Sequence, residues 1–441
     1  MRVLLVNPPT LKGTQMSPPL GLGYIGAYLV SKGYETELLD LALPGHNGLL
    51  QTIREYKPEV VGITGLSAQY NGMKHCAGIA KRGGATVLVG GIHASALPKF
   101  TLEDCKDIDI VVKGEGELSL VQLLESGSPT GIPGLFYRDN GGIRGLPPEY
   151  IEDLDSLPFP WNFLKLDDYK EVRLHGFTSK YGSVVSVLGS RGCPYSCTFC
   201  SASQALGKKI RLRSIPNFIS ELKELKSTGV REVQILDDNF TFYRDYAYGV
   251  CEEAIKEKLS IAWTLPNGIR ADRVDYELLS KMKEAGCYYF GIGIESGSKR
   301  VLALMEKKLE LSKVGEMVRW SNRLGFVTQG FLLVGYPGES EEDLRQTEKL
   351  VLGLPLDRIS INPVVPYPGA KIFGGTGNWE KLDRLKYRVE LTEEKRKFIR
   401  RLYLRFYLNP IRLLRHLLKM RTPSQVVGFI KGFTILIREL G

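Results

Sequence analysis

Three of the seven cysteines in this 441-residue chain fall within eight residues, in GSRGCPYSCTFCSAS (Gly189–Ser203). Cys193, Cys197 and Cys200 have the spacing CxxxCxxC. Three thiolates suit few purposes. Disulfides need pairs, and structural zinc needs four ligands. No fourth Cys or His stands close by, and His175 is the nearest His. A [4Fe–4S] cluster ordinarily takes four thiolates, so three would leave one iron with an open position for a substrate or cofactor. Spacing alone leaves a cluster, a zinc site with a distant ligand, and chance all open.

Composition bounds the setting. A hydrophobic content of 43% is that of a globular chain, and the length calls for two or three domains. The start, MRVLLVNPP, has no signal-peptide cleavage pattern, and no apolar run reaches the eighteen residues a spanning helix needs. The expectation is a cytoplasmic protein with reduced thiols, which favours metal or catalysis over disulfides. The net charge of +10 is uneven: residues 381–441 carry 16 Lys/Arg against 5 Asp/Glu. The basicity therefore belongs to the C-terminal segment.

Two series of alternating βα units must position the cysteines. In the first, strands are expected at Arg2–Asn7, Glu35–Leu41, Val60–Gly65, Thr86–Gly91 and Ile108–Lys113, with helices such as Leu20–Lys32 and Asn71–Arg82 between them. Such alternation builds a parallel sheet covered on both faces, with ligands beyond the carboxyl ends of the strands. Residues 131–182 read as a linker containing a Gly-Gly hairpin, GLFYRDNGGIRG, and a Pro-rich crossing. The second series has strands at Ser183–Gly189, Glu232–Asp237, Ala262–Pro266, Tyr288–Glu295, Val327–Val334 and Arg358–Val365. Six successive units predict a parallel barrel, open or closed, with its functional residues at the strand ends.

The triplet after the first barrel strand resembles the radical S-adenosylmethionine (SAM) superfamily. The resemblance covers about residues 183–370. It implies that the open iron binds SAM and that electron transfer breaks a carbon–sulfur bond to give a 5′-deoxyadenosyl radical. Phe199 matches the family's aromatic position beside adenine. The other implied SAM contacts are Asp237, Asp238 and Asn239 in LDDNFT, Arg270 in NGIRAD, Glu295 and Ser296 in GIGIESGS, and Gly335, Pro337 and Gly338 in GYPGE. None of Cys76, Cys105, Cys251 and Cys287 follows residue 287, so neither an auxiliary cluster nor a methyl-carrying cysteine is expected in the tail.

GLGYIG (Gly21–Gly26) matches a dinucleotide fingerprint, but the strand before it ends some thirteen residues earlier. Its glycines then fall inside a helix, where they allow close packing. VNPP, SPPLGLGYIGAYL, GGIHAS and VKGEGE instead resemble the N-terminal domain of cobalamin-dependent radical SAM enzymes. This implies cobalamin contacts at Pro8, Pro19, Leu20, Gly21, Thr64, Ser67, Gly90, Gly91, His93, Gly114, Glu115 and Gly116. DxHxxG, whose His ligates cobalt in many cobalamin proteins, is absent, and His93 reads as a loop residue near the cofactor.

The expected architecture is α/β: a Rossmann-like cobalamin-binding domain (1–130), the linker (131–182), a partial (β/α)6 radical SAM barrel (183–375) and a basic helical segment (376–441). The implied function is methyl transfer from methylcobalamin to an unactivated carbon after hydrogen abstraction by the adenosyl radical. The alternatives are a cobalamin-using cyclase or rearrangement enzyme, a non-catalytic cobalamin or cluster sensor, and a nicotinamide oxidoreductase. The implied cofactors are the [4Fe–4S] cluster, SAM and cobalamin. The implied partners are a small-molecule, lipid or peptide substrate and an electron donor such as ferredoxin or flavodoxin. No nucleic-acid module is visible. The basic tail reads as a helical cap over the barrel, with a membrane-surface helix as the sharper alternative.

Overall fold

A computed structural model describes residues 1–9, 18–46, 48–169, 179–181, 184–374, 391–419 and 426. His175, Ser183 and the tail beyond residue 419, Val426 excepted, lie outside the described residues, as does Ser17 of SPPLGLGYIGAYL.

The first sheet contains β1 (Arg2–Asn7), β2 (Glu35–Asp40), β3 (Val60–Ile63), β4 (Thr86–Val89), β5 (Ile110–Val112), β6 (Leu135–Asp139) and β7 (Gly142–Gly145). Their order is β2-β1-β3-β4-β5-β6-β7, parallel through β5. Strand β1 shows why both faces are covered. Val3 and Leu5 enter one apolar cluster and Leu4 and Val6 another, so alternate side chains bury against helices on opposite faces. The hairpin β6–β7 pairs antiparallel with β5. It extends the sheet to Gly145, so the first unit runs past residue 130. The physical reason is that β5 would otherwise be an unpaired edge.

The connector is packed rather than extended. Ile151, Leu154, Leu157, Trp161 and Leu164 join Leu20 and Tyr24 in the core of the second unit. The expected close packing occurs at two of the three GLGYIG glycines, Gly23 and Gly26, but not at Gly21. They lie in helix Leu20–Ser31, where a Cβ on Gly26 would fall 2.0 Å from the Phe163 ring and one on Gly23 2.6 Å from Leu164.

The second unit contains β8 (Val185–Val187), a ribbon of β9 (Ser190–Arg191) and β10 (Arg211–Leu212), then β11 (Glu232–Ile235), β12 (Ala262–Ile269), β13 (Cys287–Glu295), β14 (Val327–Val334) and β15 (Arg358–Pro363). Six of them form a parallel sheet in chain order, β8-β11-β12-β13-β14-β15, the order of an open (β/α)6 barrel. Strand β12 continues beyond Pro266 to Ile269. Its register against β13 shifts there, because Pro266 has no N–H to give the ladder.

The start of the tail is a cap. Phe398, Leu402 and Phe406, at i, i+4 and i+8 of helix Glu393–Tyr407, are buried in the barrel's core. Each contributes on the order of 1.5–3 kcal/mol by leaving water. Tyr403 and Tyr407 accept hydrogen bonds from the Ile361 and Ile359 N–H groups of β15, at 2.9 and 3.1 Å. They satisfy an edge strand that would otherwise template association. Arg412 and Lys419 of helix Pro410–Lys419 also turn inward, Arg412 to the Leu356 carbonyl and Lys419 to Asp357.

Candidate active site

Strand β8 ends at the cysteine loop. Arg191 of β9 stands in antiparallel register with Arg211 of β10, so the ribbon closes the base of a loop carrying the three thiols. Gly192 has φ +101°, and a Cβ there would lie 2.2 Å from the Lys209 carbonyl oxygen. Only glycine fits that crossing. The turn holding Cys197 and Cys200 is fixed from below. Thr198 N–H donates to the Met305 carbonyl at 3.0 Å, and its hydroxyl shares a hydrogen bond with Tyr336. Phe199 packs beside a cluster of Val301, Leu302, Met305, Tyr336 and Val364.

All seven cysteines are free. Cys76, Cys105, Cys251 and Cys287 are buried, while Cys193 and Cys197 are half-buried and Cys200 is exposed. Burial raises all three loop thiols, Cys200 to about 11, and their mutual charges add to the rise at Cys200. Among the described residues, no three Cys, His, Asp or Glu side chains are gathered as a single-ion chelate. Three free thiols on one loop, close enough to act on one another electrostatically, suit an iron–sulfur cluster, whose positive charge would bring them down to thiolates.

The strand-end residues divide into two groups. Asp238 and Asn239 are available: Asp238 Oδ2 and both polar atoms of the Asn239 amide are buried without a hydrogen-bond partner. Buried orphans of this kind call for a polar ligand. Asp237, Arg270 and Ser296 already have partners within the chain. Asp237 accepts the Gly189 N–H at 2.7 Å and the Ser190 hydroxyl at 2.5 Å, and burial pushes its carboxyl up to about 7. Arg270 donates twice to Asp272 and to the Lys307 and Lys308 carbonyls. Its guanidinium lies 3.9 Å from the Tyr195 ring centroid, so it braces the cysteine loop. The Ser296 hydroxyl accepts the Ser298 N–H and meets Thr347, which shapes the turn after β13.

Glu295 is buried with φ +61° and pairs with Lys307 at 2.9 Å. Lys307 Nζ lies 5.8 Å from the Phe199 ring centroid. Sequence reasoning missed this lysine because it sits in the charged run MEKKLE, which has no motif. In GYPGE, Gly335 N–H bonds to Glu339, Gly335 and Gly338 have positive φ, and Pro337 and Gly338 are exposed.

In the first unit, Thr64, Gly90, Gly91, Gly114 and Gly116 come together with Leu5, Leu22, Ile25 and Val112 around a narrow cleft of about 50 Å³. It lies at the carboxyl edge of the sheet, the position where parallel α/β sheets bind ligands. Gly91, at φ +88°, would place a Cβ 2.7 Å from Thr64 Oγ1. Its glycine and apolar walls let a ligand approach the backbone closely.

The other expected contacts are not among the residues that line the cleft. His93 is not in a loop: it lies in helix Gly91–Ala96, buried, stacked on Tyr70 at 4.2 Å and 3.1 Å from the Ser67 hydroxyl. Burial lowers its pKa to about 4, which keeps the ring neutral. Leu20 packs in the core rather than at the cleft. Pro19 is the N-cap residue of the first helix, Gly21 has no neighbour within 4 Å of its Cβ position, and the Pro8 carbonyl meets Gln69 at 3.4 Å. The Glu115 carboxylate accepts from Arg191, Arg211 and the Ile151 N–H. Glu117, Arg191 and Arg211 were not foreseen. Their only signal was charge beside the glycines and the cysteine loop.

The units meet at this site. Helix Gly91–Ala96, at the edge of the cleft, packs against Ser203–Leu206, the helix that follows Cys200.

Comparison with known proteins agrees with this geometry. Residues 187–351 match the model of the radical SAM superfamily, and residues 10–124 match that of the B12 binding domain. An uncharacterized methyltransferase of Pyrococcus horikoshii is 32% identical, over 93% of both chains. Cytidylyl-2-hydroxyethylphosphonate methyltransferase of Streptomyces wedmorensis is 32% identical, over 78% of this chain and 76% of its own. The anaerobic magnesium-protoporphyrin IX monomethyl ester cyclase of Rubrivivax gelatinosus is 26% identical, over 86% and 70%. Among solved structures, the radical SAM methyltransferase TsrM from Kitasatospora setae has the same fold, with a TM-score of 0.71 and 21% identity over 84% of this chain and 74% of its own. With both domain models matched and a 32% identical methyltransferase aligned over nearly its whole length, the chain belongs to the cobalamin-dependent radical SAM methyltransferase family.

Proposed function

We propose that this protein is a cytoplasmic C-methyltransferase that delivers a methyl group to an unactivated carbon of its substrate. The observation that carries this reading is the packing of helix Gly91–Ala96, at the glycine-lined cleft, on the helix directly after Cys200. That contact faces the carboxyl edges of both sheets toward one site.

When bound, the cluster with SAM supplies a hydrogen-abstracting radical and cobalamin supplies the methyl group. The chain's own residues bind and orient. We assign Cys193, Cys197 and Cys200 as the thiolate ligands. Asp238 and Asn239, with their unpartnered polar atoms, are proposed to take the polar groups of SAM. Lys307 sets a buried positive charge beside Glu295 and Phe199, where a carboxylate or ribose of SAM would lie. Thr64, Gly90, Gly91, Gly114 and Gly116 are proposed to bear the corrin, and apolar Leu5, Leu22 and Val112 would keep water from its face.

We propose a ferredoxin or flavodoxin as electron donor. The seven free cysteines support a reducing compartment, and no described helix is long and apolar enough to cross a membrane. For the acceptor we favour a peptide side chain or a lipid. Exposed Leu408, Ile411, Leu414 and Leu418 beside the basic tail support a lipid surface.

The test is product stoichiometry with candidate acceptors under anaerobic, reducing conditions. Equal S-adenosylhomocysteine and 5′-deoxyadenosine supports methyl transfer. 5′-Deoxyadenosine alone supports rearrangement or cyclisation, the second reading favoured by the cyclase relative.

A further inference from the structure

We propose that Glu115, Glu117, Arg191 and Arg211 form a charge clamp that fixes the separation between the cysteine loop and the glycine-lined cleft. They are positioning residues, and the inference rests on the reading that the loop holds the cluster and the cleft holds cobalamin.

The geometry is continuous from one site to the other. Glu115 and Glu117 alternate with Gly114 and Gly116 of the cleft wall. Glu115 Oε1 accepts from Arg191 at 3.0 Å and from Arg211 at 2.9 Å. Its Oε2 accepts from Arg211 at 2.7 Å and from the Ile151 N–H at 2.8 Å. Glu117 accepts from the other terminal nitrogen of Arg191 at 2.8 Å. The two arginines are register partners in the β9–β10 ribbon, and Arg191 is two residues from Cys193. Arg211 also donates to the Leu206 carbonyl, next to Gly207, whose own carbonyl receives the Cys193 N–H. Tyr24 and Tyr150 lie against Arg191 and Arg211, each 5.1 Å from ring centroid to guanidinium.

All four charged side chains are between 2% and 6% exposed. Burying four charges is a poor way to gain cohesion, because apolar residues of similar volume hold an interface as well or better. What charges add is direction: each guanidinium fork donates to its carboxylate in few geometries. The quartet carries two positive and two negative charges, so it leaves little net field at the thiols. Its effect is therefore geometric. Geometry matters here because one carbon must meet a radical and then a methyl donor, and a misplacement of about 1 Å can cost on the order of 100-fold in rate.

The test uses full-length protein, anaerobically reconstituted with iron, sulfide and cobalamin. The reduced cluster and cob(II)alamin are both paramagnetic, so pulsed electron paramagnetic resonance reads the distance between them without any substrate. Two variants are compared with wild type: Glu117→Gln, and the apolar pair Glu117→Leu with Arg191→Met, which keeps a folded interface if the single variant does not. Both should load the two cofactors at wild-type stoichiometry, while the distance distribution shifts or broadens by about twofold, as an unsupported site loosens. A narrow, unshifted distribution in the loaded variants would overturn the clamp and leave the functional reading intact. A wild-type protein that loads neither cofactor overturns that reading and the clamp with it.

Discussion

Lys307 donates a charged hydrogen bond of 2.9 Å to Glu295, with the two side chains only 11% and 10% exposed. Glu295 holds φ +61°, a left-handed conformation that a glutamate rarely adopts, at the end of β13. Burial opposes the lysine's charge, but Glu295 and the Cys197 thiol more than restore it, and its pKa lies above the ordinary value. A retained cation beside a strained carboxylate and a thiol is what an anion-handling site needs.

Lys307→Met leaves Glu295 buried without its cation. Breaking a buried pair from one side costs about 3–5 kcal/mol. Denaturant unfolding of the apo chain should show that loss. Adding Glu295→Gln should recover part of it, because the uncompensated charge is then gone. If the single and double variants are equally stable, the pair is not coupled.

Asp237 gives a pH dependence. Burial raises its carboxyl from 3.8 to about 7. The folded chain therefore keeps a proton that the unfolded chain has released. Stability from this group is fully present below about pH 4 and is lost as pH rises toward 7, with a slope approaching about 1.4 kcal/mol per pH unit. Asp237→Asn should flatten that slope in unfolding measured across pH 4–7. An unchanged slope would place the proton elsewhere.

Gly91→Ala tests the cleft. The new Cβ would meet Thr64 Oγ1 at 2.7 Å and the Gly65 N at 2.9 Å, at a φ of +88°. Strain of this kind costs about 1–3 kcal/mol. Cobalamin titration followed by absorbance should show weaker binding, while the [4Fe–4S] absorbance stays at the wild-type level. Equal cobalamin affinity would move the corrin site away from Gly91.

Tyr407→Phe tests the cap on the edge strand. Its hydroxyl accepts the Ile359 N–H and donates to the Ile359 carbonyl, both at 3.1 Å. Its loss should cost on the order of 1 kcal/mol, read from denaturant midpoints, and should promote association through β15. A variant with unchanged stability that stays monodisperse would contradict that role.

The strand series was legible because β1, β3, β4 and β13 are near-continuous apolar runs, the mark of strands buried on both faces. The cleft glycines were legible because glycine beside a strand end means close approach. Less visible were residues whose roles exist only between units. Glu115 looked like a cofactor contact because it stands among cleft glycines, yet its partners Arg191 and Arg211 lie 76 and 96 positions away. Arg270 and Asp237 stand at the expected strand ends, but their donors and acceptors are taken by Asp272 and Ser190. GGIHAS has no helical period, which hides the helix around His93. A helix of six residues is too short to show one.

The central claim is that Cys193, Cys197 and Cys200 hold a cluster that works with SAM beside cobalamin. The most direct measurement quantifies S-adenosylhomocysteine and 5′-deoxyadenosine from anaerobically reconstituted wild-type protein and Cys197→Ala, each given SAM and a reductant. The account predicts both products from the wild type, and loss of the cluster's visible absorbance together with 5′-deoxyadenosine from Cys197→Ala. Undiminished 5′-deoxyadenosine from Cys197→Ala, or neither product from a wild type with intact cluster and cobalamin, would contradict it.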